Sequence, residues 1–141
     1  MSVKVIIPTV PRVKSKVGGS TSGPTTTSGT FSLLPEMTIT ANTNGGDVLL
    51  MFQGAFNLQI NDDLIISPFV DSVEISTTHR IRLAIVAGIL SSVEVTMVGS
   101  INVLATGLSA GSHTFDIRWL ASGGTARAYL TQRVFNIVEV I

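Results

Sequence analysis

Several kinds of residue are scarce in this sequence, and each scarcity excludes a class of protein. The 141 residues include no cysteine, so neither a disulfide framework nor a thiolate metal site is possible. Charged residues make up 13% of the chain and hydrophobic residues 45%, and this charged share is about half of the average. Because a soluble monomer normally exposes more charge, we expect much of the surface to be covered, most simply by another copy of the chain.

Long hydrophobic segments are also missing. No apolar run approaches the roughly 18 residues that a membrane-spanning helix requires, so we predict no association with a membrane. The N-terminal sequence MSVKVIIPTVPRVK has a short apolar stretch that is interrupted by Lys4 and followed by prolines. This is not the pattern of a signal peptide.

Negative charge is missing from the N-terminal region. Lys4, Arg12, Lys14 and Lys16 precede the first acid, Glu36, and give this region a charge of +4. The remaining five arginines against nine acids give the rest of the chain −4. This split predicts that the N-terminal region meets an acidic surface, on a partner or on a neighbouring copy, although cations that only keep a tail soluble would produce the same pattern. Four cations without interleaved aromatics supply too little charge for nucleic-acid binding, which we do not expect.

Residues 10–30 have the composition of a segment that forms no core of its own. They are rich in glycine, serine and threonine, include two prolines and contain no aromatic residue. We predict an extended N-terminal arm over residues 1–30 and one folded domain over residues 31–141. The arm is expected to anchor by adding a strand, residues 3–7, to a neighbour. Its predicted anchoring residues are Val3, Lys4, Val5, Ile6, Ile7, Arg12, Lys14 and Lys16.

Short alternations of apolar and polar residues predict an all-β fold. In the stretch TFDIRW, Phe115, Ile117 and Trp119 are expected to face inward, whereas Asp116 and Arg118 are expected to face outward. Stretches of this kind recur at intervals of about 8 to 12 residues, which is typical of a sandwich or a barrel. No segment has a sustained helical period.

Glycine, asparagine and aspartate mark the expected turns. The pairs Gly45-Gly46 and Gly123-Gly124 predict hairpin turns, because glycine adopts positive φ without strain. Further turns are predicted at residues 61–63 and 71–72, and a loop is predicted at residues 107–111.

The last predicted strand, RVFNIVEVI, is apolar on both of its sides. One side carries Phe135 and Ile137, and we expect the opposing sheet to cover it. Neighbouring subunits are the predicted cover for the other side, although a central strand of a large sandwich would have the same pattern. The predicted oligomer interface therefore consists of Val134, Val138 and Val140.

Catalytic patterns are not found. His79 and His113 are isolated histidines in turn-like surroundings, and no nucleophile elbow, zinc-protease helix or phosphate-binding glycine loop occurs. Trp119 and Tyr129 could form a carbohydrate platform, but Trp119 shares the inward side of its strand with two core residues. We predict no enzymatic activity and no cofactor.

Two groups of oxygen-bearing side chains are of the type that calcium prefers. Neither group has the spacing of a twelve-residue calcium loop, and such residues are common in turns. We therefore predict no metal site. The groups are Asn61, Asp62 and Asp63 with Asp71, and Asn42, Asn44 and Asp47.

Four stretches between residues 37 and 141 together carry a family resemblance. LSAGSHTFDIRWLASGG (108–124) and TARAYLTQRVFNIVEVI (125–141) resemble the end of a compact jelly-roll domain of phage and prophage structural proteins. MTITANTNGGDVLLMFQGAF (37–56) looks like the paired early strands of that domain around a glycine turn. PFVDSVEI (68–75) looks like one of its strands and turns, with Ser72 where glycine is common.

This domain family is similar to the tumour-necrosis-factor-like and complement-head jelly rolls. The resemblance implies a jelly-roll β-sandwich of roughly ten strands that assembles as a homotrimer through one sheet. It implies no catalytic residue, and it extends from residue 30 to residue 141.

The leading hypothesis is a virion structural protein on the capsid surface. It would be a capsid decoration protein that trimerises and attaches through its arm to the major capsid protein or to another virion protein. One alternative is a head-fibre or tail-fibre tip that binds a receptor, and another is a cellular ligand-like or lectin-like trimeric module. Decoration is favoured because no repetitive shaft and no signal peptide are expected in residues 1–30.

Overall fold

The described part of the chain consists of β-strands joined by turns. The computed structural model describes residues 12–18, 23–85 and 94–140. Among these residues the only helical element is one 3₁₀ turn, Thr77–His79, so the all-β prediction is confirmed. The strands are β1 (Val13–Val17), β2 (Thr25–Thr26), β3 (Ser32–Leu58), β4 (Asp63–Val70), β5 (Val73–Glu74), β6 (Ile81–Ala84), β7 (Val95–Gly123) and β8 (Ala126–Val140).

The two longest strands, β3 and β7, pair antiparallel from end to end. Ser32 lies opposite Trp119 at one end of this ribbon, and Leu58 lies opposite Val95 at the other. Their lengths, 27 and 29 residues, far exceed the usual length of about five or six. The ribbon has to bend to remain within a domain of this size.

The bend lies at glycines that the sequence analysis assigned to a hairpin turn and a loop. Gly45 and Gly46 have positive φ within β3, and Gly107 and Gly111 have positive φ at the same level of β7. The register of the ribbon also shifts between Gly46 and Val48, which is a β-bulge. The predicted hairpin turn at Gly45-Gly46 and the predicted loop after Gly107 are therefore wrong, because these backbone conformations bend both strands without reversing either.

This bend divides the sheet into two layers. Layer 1 contains β1, β8, residues 47–58 of β3 and residues 95–105 of β7, in that order. Layer 2 contains residues 32–44 of β3 and residues 113–123 of β7, followed by β4, which pairs with both β5 and β6. Both long strands thus pass from one layer to the other.

The space between the layers is filled by apolar side chains. The ring centroids of Phe56 in layer 1 and Trp119 in layer 2 are 6.4 Å apart. A methyl group added to Gly99 in layer 1 would lie 3.5 Å from Cδ1 of Ile66 in layer 2. The fold is therefore sandwich-like. The predicted inward side of residues 114–119 is confirmed, because its three members are at most 2% exposed: Phe115, Ile117 and Trp119.

Asp116 lies on the outward side of β7 but is not exposed to solvent, contrary to the prediction. Only 2% of its surface is accessible, and its carboxylate accepts hydrogen bonds from Thr38 Oγ1 at 3.1 Å and from Arg118 Nη2 at 3.0 Å. The guanidinium of Arg118 also lies 4.6 Å from the centroid of the Phe69 ring. Alternation predicts the side of the strand to which a residue points, but not what covers that side.

Two of the predicted turns are confirmed and one is of another kind. Asn61 has a φ of 69°, and Asp71 and Ser72 have φ values of 49° and 68° in a two-residue hairpin loop between β4 and β5, as in a type I′ turn. Gly123-Gly124 joins β7 to β8, but β8 pairs with β3 and β1 rather than with β7. The pair is therefore a connection between the layers and not a hairpin turn.

Two described parts of the predicted arm pair with the domain of the same chain. β1 runs antiparallel to β8, from Val13 opposite Val138 to Val17 opposite Val134, and β2 pairs with the first residues of β8. The predicted anchoring strand lies outside the described residues, with Val3, Lys4, Val5, Ile6 and Ile7.

Within the three described ranges, no helix has the length and apolar character that crossing a bilayer requires.

Candidate interaction surface

The outward side of layer 1, apart from Asp47 at its rim, has no charged side chain in the part that the structure describes, and we call this surface the uncharged face. Residues that pair across an antiparallel sheet point to the same side, so the register defines its members. These are Val13 and Ser15 of β1, Val134, Asn136 and Val138 of β8, Leu49, Met51 and Gln53 of β3, and Val98, Ser100, Asn102 and Leu104 of β7.

An apolar row crosses the uncharged face from edge to edge. Val13 lies opposite Val138, which lies opposite Leu49, and Leu49 lies opposite Leu104. The two ends of the row are 60% and 43% exposed, and Val98, farther along the face, is 60% exposed. Exposed aliphatic side chains arranged in this way favour burial against a partner.

The three valines predicted to form an oligomer interface lie on the outward side of β8. Val134 and Val138 are half-buried members of the uncharged face. Val140, at the rim, is 47% exposed and lies opposite Asp47, whose Oδ1 accepts a hydrogen bond from the backbone N–H of Gly107 at 3.0 Å. That another copy covers these valines stays a prediction.

Three amide side chains lie between the aliphatic residues of the uncharged face. Gln53, Asn102 and Asn136 form no side-chain hydrogen bond within the part of the chain that the structure describes. An amide has both a donor and an acceptor, so it can pair with a copy of itself. The uncharged face is therefore compatible with its own copy, both in its apolar row and in its polar groups.

The described cations of the predicted arm line the edge of layer 1. Lys14 pairs with Ile137 and Lys16 pairs with Phe135, so both lie on the inward side of β1, the last strand of the described sheet on this side, and both are exposed. The Nε atom of Arg12 is 4.0 Å from Oε2 of Glu139. Neither lysine forms an ion pair within the described ranges. The edge strand thus presents positive charge that no described acid neutralises.

All nine acidic side chains accept hydrogen bonds from the chain itself. An ionised carboxylate has about four acceptor positions, so these hydrogen bonds do not exhaust it, but a neighbouring copy offers the lysines of β1 no carboxylate without a partner of its own. This favours an acidic partner of another kind. The donors are arginines for Glu36, Asp63, Glu74 and Asp116, His113 for Asp71, and backbone or amide N–H groups for Asp47, Asp62, Glu94 and Glu139.

His113 is part of a structural clasp. It is 8% exposed, its Nδ1 lies 2.6 Å from Oδ2 of Asp71, and its Nε2 lies 2.9 Å from the backbone oxygen of Ser109. Hydrogen bonds to Asp71 and to the Ser109 carbonyl raise the pKa of His113. A hydrogen bond from the backbone N–H of Thr114, followed by that from His113, lowers the pKa of Asp71. The sequence placed His113 in a turn but carried no sign of its partner.

The carboxylates considered as calcium ligands serve as hydrogen-bond acceptors in separate places. Oδ2 of Asp62 accepts from the backbone N–H of Gln59 at 2.6 Å, and Oδ1 accepts from that of Thr125 at 3.0 Å. The carboxylate of Asp63 binds Arg82 through two hydrogen bonds. No group of three potential metal-ligating acids or histidines occurs in the described ranges.

Sequence reasoning overlooked a buried arginine. Arg133 is fully buried, and its Nη2 donates to Oε2 of Glu36 at 2.9 Å. Burial lowers the pKa of Arg133, and the charge of Glu36 opposes this effect. The sequence did contain a signal for this burial, because Arg133 lies two and four positions before Phe135 and Ile137, which were predicted to face inward, and therefore points to the same side of the strand.

No model of a protein family matches this chain, and no curated protein is similar to it in sequence. The functional interpretation therefore depends on the chemistry of the surfaces described above.

Proposed function

We propose that this protein is a non-enzymatic structural component of a virus particle, namely a capsid decoration protein with a jelly-roll body. The proposal depends on one combination of features in the described ranges. The body has an uncharged face, Lys14 and Lys16 of the arm form no ion pair, and every acid of the body accepts a hydrogen bond from within the chain. These are features of a protein that acts through its surfaces. The resemblance of residues 30–141 to phage structural domains is the reason for proposing a virus particle as the location, since a fold by itself does not determine function.

Self-association through the uncharged face is the first part of the proposal. Side chains near a symmetry axis meet copies of themselves, so a charged residue there repels its copy. The uncharged face avoids this repulsion near the axis, and farther from the axis its aliphatic and amide side chains can contact different residues of the neighbouring copy, as the head-to-tail contacts of a ring require. We place Val134, Val138 and Val140 in this interface and, following the resemblance, propose a homotrimer.

Attachment through the N-terminal arm is the second part. Lys14 and Lys16 extend from an edge strand, where a partner has access to both the backbone and the charges. Because the acids of the body are engaged, the partner is a different protein with an acidic surface. The major capsid protein or another virion protein fits this description, and the protein is then located on the capsid surface.

The jelly-roll assignment is supported by the path of the two long strands. Jelly rolls consist of two packed antiparallel sheets, and here β3 and β7 each contribute one half to both layers. Counting each half as a strand turns the six strands described within residues 31–141 into eight, which is the number of a jelly roll and two fewer than the roughly ten that the resemblance implies.

Two measurements test the proposal. Light scattering on the purified protein should give three times the chain mass of 14.9 kDa, and a monomer at micromolar concentration would contradict self-association. For attachment, capsid shells prepared without the protein should bind the wild type but bind K14Q/K16Q about tenfold more weakly. The charge-preserving control K14R/K16R should bind like the wild type, and equal binding of all three proteins would contradict attachment through the arm.

A further inference from the structure

A cavity opens at the edge of the sandwich, between β1 and the part of β3 that precedes the bend. Its volume is about 250 Å³. It is lined by Arg12, which directly precedes β1, by Lys14 of β1, and by Asn42 and Thr43 of β3. The cavity is thus formed partly by the arm and partly by the body.

The charges around this cavity favour an anion. Lys14 has no ion pair in the described ranges, and Arg12 approaches Glu139 only to 4.0 Å, beyond hydrogen-bond distance. The carboxylate of Glu139, which also lines the cavity, accepts from the backbone N–H of Asn44 at 2.5 Å and from its Nδ2 at 3.4 Å. Two cations therefore face one carboxylate that is already hydrogen-bonded, and the lining has a net charge of +1.

The wall behind the cations is apolar. Val48 and Ile137 line the cavity and are 1% and 3% exposed, so they belong to the core and cannot turn away. A bound group would place its charge beside Arg12 and Lys14 and its carbon atoms against these two residues. A carboxylate on a short methylene stem meets both requirements, and inorganic phosphate meets only the first.

From this geometry we infer that the cavity is a socket for a glutamate side chain of an acidic peptide segment. The inference deepens the proposed function and rests on it in one respect, since the segment is placed on the particle protein to which the arm attaches. Arg12 and Lys14 bind the carboxylate, Asn42 offers an amide donor, and Val48 and Ile137 contact the methylene groups.

A synthetic peptide of four glutamates with blocked ends is a suitable probe. In a titration of the full chain followed by NMR at low salt, we expect shifts at residues 12–14 and 41–43. R12Q and K14Q should each weaken binding about five- to tenfold, because each removes a charge-assisted contact. K16Q is the matched control, since Lys16 lies on the same side of the same strand but does not line the cavity, and it should change the affinity less than about twofold.

E139Q should strengthen peptide binding, because it removes the one negative charge of the lining and leaves an acceptor for Asn44. Equal losses in R12Q, K14Q and K16Q would overturn the socket, because they would indicate attraction to the whole strand. Phosphate binding as tight as the peptide would overturn the role of the apolar wall, and no peptide binding at millimolar concentration would overturn the inference altogether.

The capsid-binding assay separates this inference from the proposed function. If R12Q loses the peptide but still binds shells like the wild type, the socket stands and its use in attachment is wrong. If K14Q/K16Q loses the shells while the wild type does not bind the peptide, the proposed attachment stands and the socket is wrong.

Discussion

His113 and Asp71, which are 42 residues apart in the chain, are joined by a contact of 2.6 Å between Nδ1 and Oδ2. The second ring nitrogen of His113 faces the carbonyl oxygen of Ser109. Only the protonated imidazolium can donate to both oxygens at once. This contact ties the β4–β5 turn to the bend of β7, and we expect it to make the stability of the bend depend on pH.

The clasp should weaken as the pH rises above neutrality. The pKa of His113 is raised in the folded protein. The stability that its charge contributes is therefore complete below its unfolded pKa of about 6.5 and is lost as the pH rises through its higher folded pKa. H113N cannot carry the charge. The free energy of unfolding of the wild type should therefore exceed that of H113N by about 1 kcal/mol at pH 6, and the difference should shrink by pH 9.

Urea denaturation of both proteins across this pH range measures the difference. H79N is the control, because His79 is exposed and should not change the pH dependence. At acidic pH the relevant group is Asp71. Its pKa is lowered in the folded protein, so the stability that its charge contributes is lost as the pH falls through its folded pKa. A difference between wild type and H113N that stays constant from pH 6 to pH 9 would show that the histidine is not held in its charged form.

The buried pair of Arg133 and Glu36 should matter more for stability than an ion pair at the surface. Arg133 is fully buried, whereas the side chain of Glu36 is 40% exposed, so E36Q leaves a buried charge with a weaker partner. We expect E36Q to lower the free energy of unfolding by about 1–3 kcal/mol. R133M should cost a similar amount, and E36Q/R133M should cost less than the sum of the two. Additive losses in a urea-denaturation cycle would contradict direct coupling.

Gly18 is required where the arm leaves β1. A β-carbon at this position would lie 2.6 Å from Nη2 of Arg133, and the backbone N–H of Gly18 donates to the carbonyl oxygen of Arg133 at 3.0 Å. Because the buried guanidinium has little room to shift, G18A should lower stability by about 1–3 kcal/mol.

Gly29 provides the matched control for Gly18. A β-carbon added to Gly29 would have no described atom within 4 Å beyond its chain neighbours, so G29A should be neutral or slightly stabilising, by up to about 1 kcal/mol. Thermal denaturation compares the two variants, and equal melting temperatures of G18A and G29A would contradict this packing.

The sequence predicted those features that depend on local pattern. Alternation identified Phe115, Ile117 and Trp119 as core residues, and Asx residues marked the turns at Asn61 and Asp71. These predictions succeeded because a strand places successive side chains on opposite sides and because such turns need particular residue types. The all-β class followed from the same two signals.

Features that depend on distant pairing could not be predicted in this way. A glycine pair such as Gly45-Gly46 looks the same in a hairpin turn and in a bend of a continuous strand. Only the pairing of β3 with β7, which continues on both sides of these glycines, distinguishes the bend from the turn. The partners of Asp116 and His113 come from other strands. The uncharged face likewise combines residues of four strands whose order the sequence does not specify.

A charge placed on the uncharged face should disrupt the oligomer without unfolding the chain. Val138 and Leu104 lie on the same row, and a lysine at either position would face its own copy across the interface or be buried there without a partner. V138K and L104K should each weaken self-association at least about tenfold, since a buried unpaired charge costs several kcal/mol. V73K is the matched control, because Val73 is 68% exposed in the β4–β5 hairpin of layer 2, and its mass by light scattering should equal that of the wild type.

The pattern across the three variants identifies the surface as well as the oligomer. If V138K and L104K dissociate and each still unfolds in one cooperative transition, the uncharged face is the interface. Dissociation of V73K alone would move the interface to layer 2. An unchanged mass in V138K and L104K, with V73K also unchanged, would exclude both surfaces and with them the role assigned to Val134, Val138 and Val140.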